Sequence, residues 1–224
     1  MRTRLTLAEP EEGRYRSLGL KAWFDQIGPA FAPSVLDLGP ASGSNLSFFH
    51  EMGARLHVAD LFRSLSETGE RSREDPAVFQ RACCRMLPDP REASFDLILT
   101  WDLLNYLSEQ EIRTLAEHLK GYCRRRTFLF SLISIRHQIP AHPLSFQILD
   151  PGSLSYSVPS QVMRPCPEYK EPHLLRLLEG SFQVQRCFLL RHGYKEYLLS
   201  STLPDDSALR PLPRPDAPPP PYPR

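Results

Sequence analysis

The stretch Val35-Leu-Asp-Leu-Gly-Pro-Ala-Ser-Gly-Ser-Asn-Leu-Ser-Phe-Phe-His-Glu-Met-Gly-Ala-Arg-Leu-His-Val-Ala-Asp60 constrains this chain more than any other. An apolar run ends in a glycine turn, with Ser42, Ser44 and Asn45 available to cap a helix. An amphipathic segment follows, then a second apolar run that stops at Asp60. The spacing predicts a strand–turn–helix–strand unit with a right-handed parallel crossover. In such a unit the turn and Asp60 share the carboxyl edge of one sheet, where open α/β folds bind ligands.

The side chains at that edge narrow the chemistry. Gly39 and Gly43 have no Cβ, so the backbone can bend tightly and a ligand can approach closely. Asp60, an acceptor-only carboxylate closing the second strand, suits the paired hydroxyls of a ribose. A nucleoside is the ligand these features fit. A dinucleotide site wants Gly-x-Gly-x-x-Gly, whereas the turn here is Gly39-Pro40-Ala41-Ser42-Gly43, and Pro40 has no amide hydrogen to offer a pyrophosphate. That disfavours a nicotinamide dehydrogenase.

Val35 to Gly43 resembles the first motif of the class I S-adenosylmethionine-dependent methyltransferases, an acidic residue and spaced glycines after the first strand. Two further landmarks match in order. Asp60 stands where that family holds the ribose, and Leu87-Pro88 followed by Phe95-Asp-Leu-Ile-Leu-Thr-Trp-Asp-Leu-Leu-Asn-Tyr-Leu107 is similar to its fourth strand and the loop beyond. The resemblance spans about Tyr15 to Ser201. It implies a Rossmann-like doubly wound α/β sheet, mostly parallel with a C-terminal antiparallel hairpin, and helices on both faces. It also implies S-adenosylmethionine as cofactor and methyl transfer as the reaction.

On that resemblance Asp37, Gly39, Pro40, Ala41 and Gly43 shape the methionine end of the cofactor pocket and Asp60 holds the ribose. Trp101 flanks the cofactor, and Asp102, Asn105 and Tyr106 are the candidates to orient an acceptor or take its proton. The family usually carries an Asp or Asn four residues before its Leu-Pro, for the adenine amino group. Here that position is Cys83, with Cys84 beside it among the candidate cofactor residues; a thiol donates and accepts weakly, so Cys83 is read as core or pocket wall ahead of an adenine contact, and adenine recognition falls to backbone groups or a neighbour such as Arg85. The Lys-Pro-Gly-Gly turn usual before the fifth strand is replaced by Cys123-Arg124-Arg125-Arg126, read as a surface turn. These departures keep open a second reading, a catalytically silent protein of the same fold acting as a binding partner or scaffold.

With 224 residues, 41% of them apolar, the chain suits one core with decorations rather than two domains. A formal charge of +1 lacks the basic footprint of a dedicated nucleic-acid binder and favours a small-molecule acceptor. Five cysteines without Cys-x-x-Cys, and an N-terminus without an apolar signal core, point to free thiols, no metal site and a cytoplasmic protein. The expected organisation is a flexible segment over 1–13, a methyltransferase-like domain over 14–203 and a disordered proline-rich tail over 204–224.

Within the domain the pattern predicts a helix from Tyr15 to Ile27, a first strand within Phe31–Leu38, a first core helix over Ser44–Met52 and a second strand over Leu56–Ala59. A polar helix over Phe62–Arg73, a short third strand over Val78–Cys83, a fourth over Phe95–Thr100 and a helix over Glu109–Tyr122 follow. Phe128–Ile135 makes the fifth strand, a helix opens at His173, and Phe182–Leu190 with Tyr194–Ser200 forms a hairpin. Residues 136–172 hold seven of the 23 prolines and read as an inserted cap over the active-site edge, with His137 and His142 as candidate substrate-facing bases. In the tail, Arg210-Pro-Leu-Pro-Arg-Pro215 resembles an SH3 ligand and Pro219-Pro-Pro-Tyr222 a WW ligand, matches that a proline-dense composition readily produces.

Overall fold

In the computed structural model, residues 13–28, 30–68, 75–167, 169 and 171–203 are described. The expectations for 1–12 and for the tail from 204 fall outside them. The central sheet has six strands: β2 (Ser34–Asp37), β3 (Arg55–Val58), β4 (Phe95–Trp101), β5 (Cys123–Ser134), β10 (Phe182–Leu189) and β11 (Tyr194–Ser201). Their spatial order is β10-β11-β5-β4-β2-β3. Pairs β2/β3, β2/β4 and β4/β5 are parallel, and β11 runs antiparallel to both β5 and β10. The chain leaves β2 outward to β3 and then crosses back to β4 on the other side. The gap between the carboxyl ends of β2 and β4 is therefore the switch point, the crevice where such sheets bind ligands.

Alternation along the strands sends side chains to two cores. Leu36, Ile98, Leu129 and Ile133 face a layer made by α3 (Leu61–Thr68), α4 (Pro76–Met86), α5 (Glu109–Lys120) and α6 (Glu171–Leu178). Val35, Leu97, Leu99, Phe130 and Leu132 face α1 (Leu18–Ile27) and α2 (Gly43–Glu51). On this second face a small antiparallel sheet adds Phe146, Ile148 and Leu154, built from β1 (Gly13–Arg16), β7 (Ser145–Asp150) and β8 (Ser153–Ser157) in the order β1-β8-β7. A two-stranded ribbon, β6 (Gln138–Pro140) with β9 (Met163–Pro165), completes the cap. The sheet is the expected Rossmann-like one, with helices on both faces.

Three segments differ from the sequence reading. Cys123–Arg126, expected as a surface turn, instead opens β5, with Cys123 paired to Phe95 and the three arginines exposed. Val78–Cys83 is not a strand but part of α4: Asp75 caps it by accepting the Ala77 amide, and Pro76 occupies the first turn, where its missing N–H costs nothing. Phe79, Ala82 and Cys83, at helical spacing, are its buried face. Among the described residues the six-stranded sheet thus ends at β3, with no strand paired outside it. Tyr15 is likewise not helical; it lies in β1 opposite Leu154. Ser17 stops the strand and starts the helix, its hydroxyl accepting the Leu20 amide while its own N–H donates to the Gly152 carbonyl.

Candidate functional site

At the switch point lies a cavity of about 390 Å³, within the size range of small-molecule sites. Leu38, Gly39 and Pro40 border it from the end of β2, Asp60, Phe62 and Arg63 from the end of β3, and Thr100, Trp101 and Asp102 from the end of β4. The cap closes it with His142, Pro143, Leu144 and Pro159. The turn after the first core strand and the acid after the second thus share one hollow.

Asp60 is half-buried and does two jobs. Its Oδ1 accepts the Arg63 amide at 3.1 Å, capping α3, and its carbonyl accepts the Ser64 amide. Oδ2 takes no part in that cap, and the residue borders the cavity, so one carboxylate oxygen can face a ligand diol.

One strand inward, Asp37 is 1% exposed. Its Oδ1 accepts the Gly39 amide at 2.9 Å and the Trp101 indole N–H at 2.7 Å. Its Oδ2 is buried with no partner. Burial pushes this carboxyl up to about 6, against the pull of Gly39, Trp101 and the nearby Asn45 side chain. Asp37 itself does not border the cavity, because Trp101 stands in the way.

The position of Trp101 follows from a break in strand pairing. Leu99 pairs with Phe130 but Trp101 pairs with Ser131, so Thr100 is an extra residue, and bulges of this kind re-aim the next side chain. Trp101 takes φ 47°, a left-handed backbone that tryptophan rarely adopts. Its ring lies against the glycine turn so closely that a Cβ on residue 39 would stand 2.7 Å from Trp101 Cδ1. Behind it Phe146 stacks at 5.2 Å and 8°.

Asp102, also 1% exposed, borders the cavity. Its Oδ2 accepts the Leu144 amide at 3.0 Å from the cap, while its Oδ1 is buried without a partner. Burial is the main cause that lifts it to about 7. A carboxyl lifted toward neutrality, with one oxygen unpaired just behind the cavity lining, has the properties of a proton acceptor.

The other expected residues are placed differently. Asn105 spends its whole amide on the framework: Nδ2 donates to the Asp102 and Leu132 carbonyls and Oδ1 accepts the Ser134 amide. Tyr106 donates to the His142 carbonyl at 2.9 Å and packs edge-on against Phe62, standing behind two residues that border the cavity. Ala41 and Gly43 are exposed and lie outside the cavity lining. The placement of Cys83 and Cys84 at the cofactor is corrected, since both ride on α4 and neither is among the residues lining the cavity. Cys83 is packed in the core, its thiol pushed by burial up to about 12, and Cys84 faces outward.

Phe62, Arg63, Ser66, Thr100, Leu103, Pro143, Leu144 and Pro159 border the cavity without having been singled out in the sequence. The prolines and His142 sat in the segment read as a cap, which was the available signal. His142 does reach the cavity, its ring edge-on to Phe62 at 5.6 Å.

A parallel β3-β2-β4-β5 half and a closing antiparallel hairpin, with the glycine turn and Asp60 on one rim, decide the architecture. The chain has a Rossmann-like fold. No family model matches it, and no curated protein does. Among solved structures it is similar to the PH0226 protein of Pyrococcus horikoshii, at 11% identity and a TM-score of 0.46 over 77% of this chain and 83% of that one. A TehB-like SAM-dependent methyltransferase of Corynebacterium glutamicum overlaps at 12% identity and 0.43, covering 82% and 88%. The 1,6-didemethyltoxoflavin-N1-methyltransferase of Burkholderia thailandensis, holding 1,6-didemethyltoxoflavin and S-adenosylhomocysteine, overlaps at 19% and 0.44, covering 76% and 72%. Overlaps at this level add nothing to the strand order and edge geometry, which carry the fold by themselves. Among the described residues no group of three or more His, Cys, Asp or Glu side chains could hold a metal ion, and no helix is long and apolar enough to cross a membrane.

Proposed function

We propose that this protein binds S-adenosylmethionine at the switch point and transfers its methyl group to a small-molecule acceptor. One observation carries the reading: Gly39, Pro40, Asp60 and Asp102 border a single cavity at the carboxyl edge. The nucleoside end fits the residues present, with Asp60 offering an oxygen to the ribose and Leu38 and Phe62 offering apolar surface to a base.

The donor supplies an electrophilic methyl on a sulfonium, so the protein has to orient an acceptor in line and exclude water. With the donor bound, the chain's own residues would hold the acceptor facing that methyl and take up the proton it loses. The acceptor's proton passes to Asp102, whose carboxyl near 7 can hold it and release it to solvent. His142, brought in by the cap, would stand on the acceptor side. A cavity of this size, and the formal charge of +1, favour a small acceptor over a nucleic acid.

Methyl-labelled S-adenosylmethionine incubated with the protein and a metabolite extract tests the reading. Label appearing in an extract component, read by mass spectrometry against the Asp102→Asn chain, supports it. A second reading, a catalytically silent partner of the same fold, draws on the Trp101 indole lying across the glycine turn and holding Asp37. No labelled product and no calorimetric heat with S-adenosylmethionine or S-adenosylhomocysteine would favour that one.

A further inference from the structure

Three acids mark the carboxyl edge in spatial order: Asp60 after β3, Asp37 ending β2 and Asp102 after β4. The donor proposed above has two ends of different chemistry, a ribose with two hydroxyls and an α-amino acid with an ammonium. With the ribose at Asp60, the ammonium needs an anion further along the edge. Asp37 is one strand away, and its Oδ2 lacks a partner. Yet the approach to Asp37 is already filled. The Trp101 indole donates to Oδ1 at 2.7 Å, leans on Gly39 and is backed by the stacked Phe146.

Phe146 in turn is held firmly. Asn45 of α2 donates from Nδ2 to the Phe146 carbonyl at 3.1 Å and accepts the Ile148 amide at 2.8 Å, so the cap strand is clamped over the start of α2. Trp101 is the strained member of the stack, at φ 47°. An indole N–H on a buried carboxylate is also the kind of partner a ligand ammonium can replace, since a charged donor binds a carboxylate more strongly than a neutral one.

Resting on the methyl-donor reading, we infer that Trp101 sets which adenosyl ligands this edge accepts. With the indole seated, the cavity takes ligands that end near the ribose 5′ position, such as 5′-methylthioadenosine. Ligands with an amino-acid tail enter only when the indole leaves Asp37 and Gly39. Their apparent affinity is lowered by the fraction of molecules in which that has happened. Trp101 is thus a specificity residue acting by occupancy, separate from the proton chemistry assigned to Asp102.

Isothermal titration of the full chain with 5′-methylthioadenosine and with S-adenosylhomocysteine tests this in wild type, Trp101→Ala and Trp101→Phe. The expected wild-type result is tighter binding of 5′-methylthioadenosine. Trp101→Ala should strengthen S-adenosylhomocysteine binding by about tenfold or more while moving 5′-methylthioadenosine by less than about threefold. Should the alanine chain fail to fold, Trp101→Phe keeps a ring in the stack but has no N–H for Asp37, and the same direction is expected. Equal wild-type affinities for the two ligands, with no gain in either variant, overturn the role of Trp101 and leave the methyl-donor reading standing. Binding of neither ligand to any of the three chains overturns both.

Discussion

Replacing Asp102 by Asn removes a buried titrating group and little else. Asp102 is 1% exposed and one of its oxygens already accepts the Leu144 amide, a role an Asn carbonyl can keep. Its proton is held up to about 7 in the folded chain, against an ordinary value of 3.8, chiefly because burial disfavours the charge. Between those two values the folded chain keeps a proton that the unfolded chain has released. Stability contributed by this group is therefore complete below about pH 3.8 and is lost as pH rises toward 7. The interval from 3.8 to about 7 is about 3 pH units, and at about 1.4 kcal/mol per unit the full effect is on the order of 4 kcal/mol.

Urea unfolding of wild type and Asp102→Asn at several pH values from 4 to 8 reads this directly. Asp37 and every other titrating group act in both chains, so the difference isolates residue 102. The expected result is that the stability of wild type minus that of the variant falls by about 4 kcal/mol from pH 4 to pH 8, with Asn the more stable at the alkaline end. A difference that stays constant with pH would refute the burial argument, and with it the case for Asp102 as a proton acceptor near neutrality.

Asp60→Ala should weaken S-adenosylhomocysteine binding by about 1–3 kcal/mol by calorimetry, the scale of hydrogen bonds to a charged acceptor. Because residue 60 also caps α3, Asp60→Asn, which can still cap the helix, separates lost binding from lost helix; unchanged affinity in both would remove the ribose from this acid. Asn45→Ala deletes both hydrogen bonds that clamp β7 and leaves the Phe146 carbonyl and Ile148 amide buried and unpaired. A stability loss of about 2–4 kcal/mol in urea is expected, and a loss under about 0.5 kcal/mol, the range of ordinary surface changes, would show that the cap is held by other means.

The parallel core was legible because its signals are local. Phe95 to Thr100 reads as a buried strand from its largely apolar run, broken only at Asp96, and the turn at 39–43 is spelled out by its own glycines. Val78–Cys83 was misread because a short apolar run fits strand and helix alike. The deciding signal was Asp75-Pro76, an N-cap followed by a first-turn proline, lying just ahead of it. Tyr15 was misread for the converse reason: its partner in β1 is Leu154, far along the chain, and no local pattern announces a pairing made at that separation.

At the site itself, the identity of Asp60 and its place at a strand end could be read from sequence, since both depend only on where an apolar run stops. The sequence alone therefore determined the strand–turn–helix–strand unit and the edge on which a ligand would sit. The tertiary structure decided which side chains face that ligand. A bulge at Thr100 turns Trp101 onto Asp37, the framework claims every arm of Asn105, and a cap strand from a hundred residues away closes over α2. Each outcome depends on which distant backbone groups find hydrogen-bond partners once the layers pack, and periodicity carries no information about that choice.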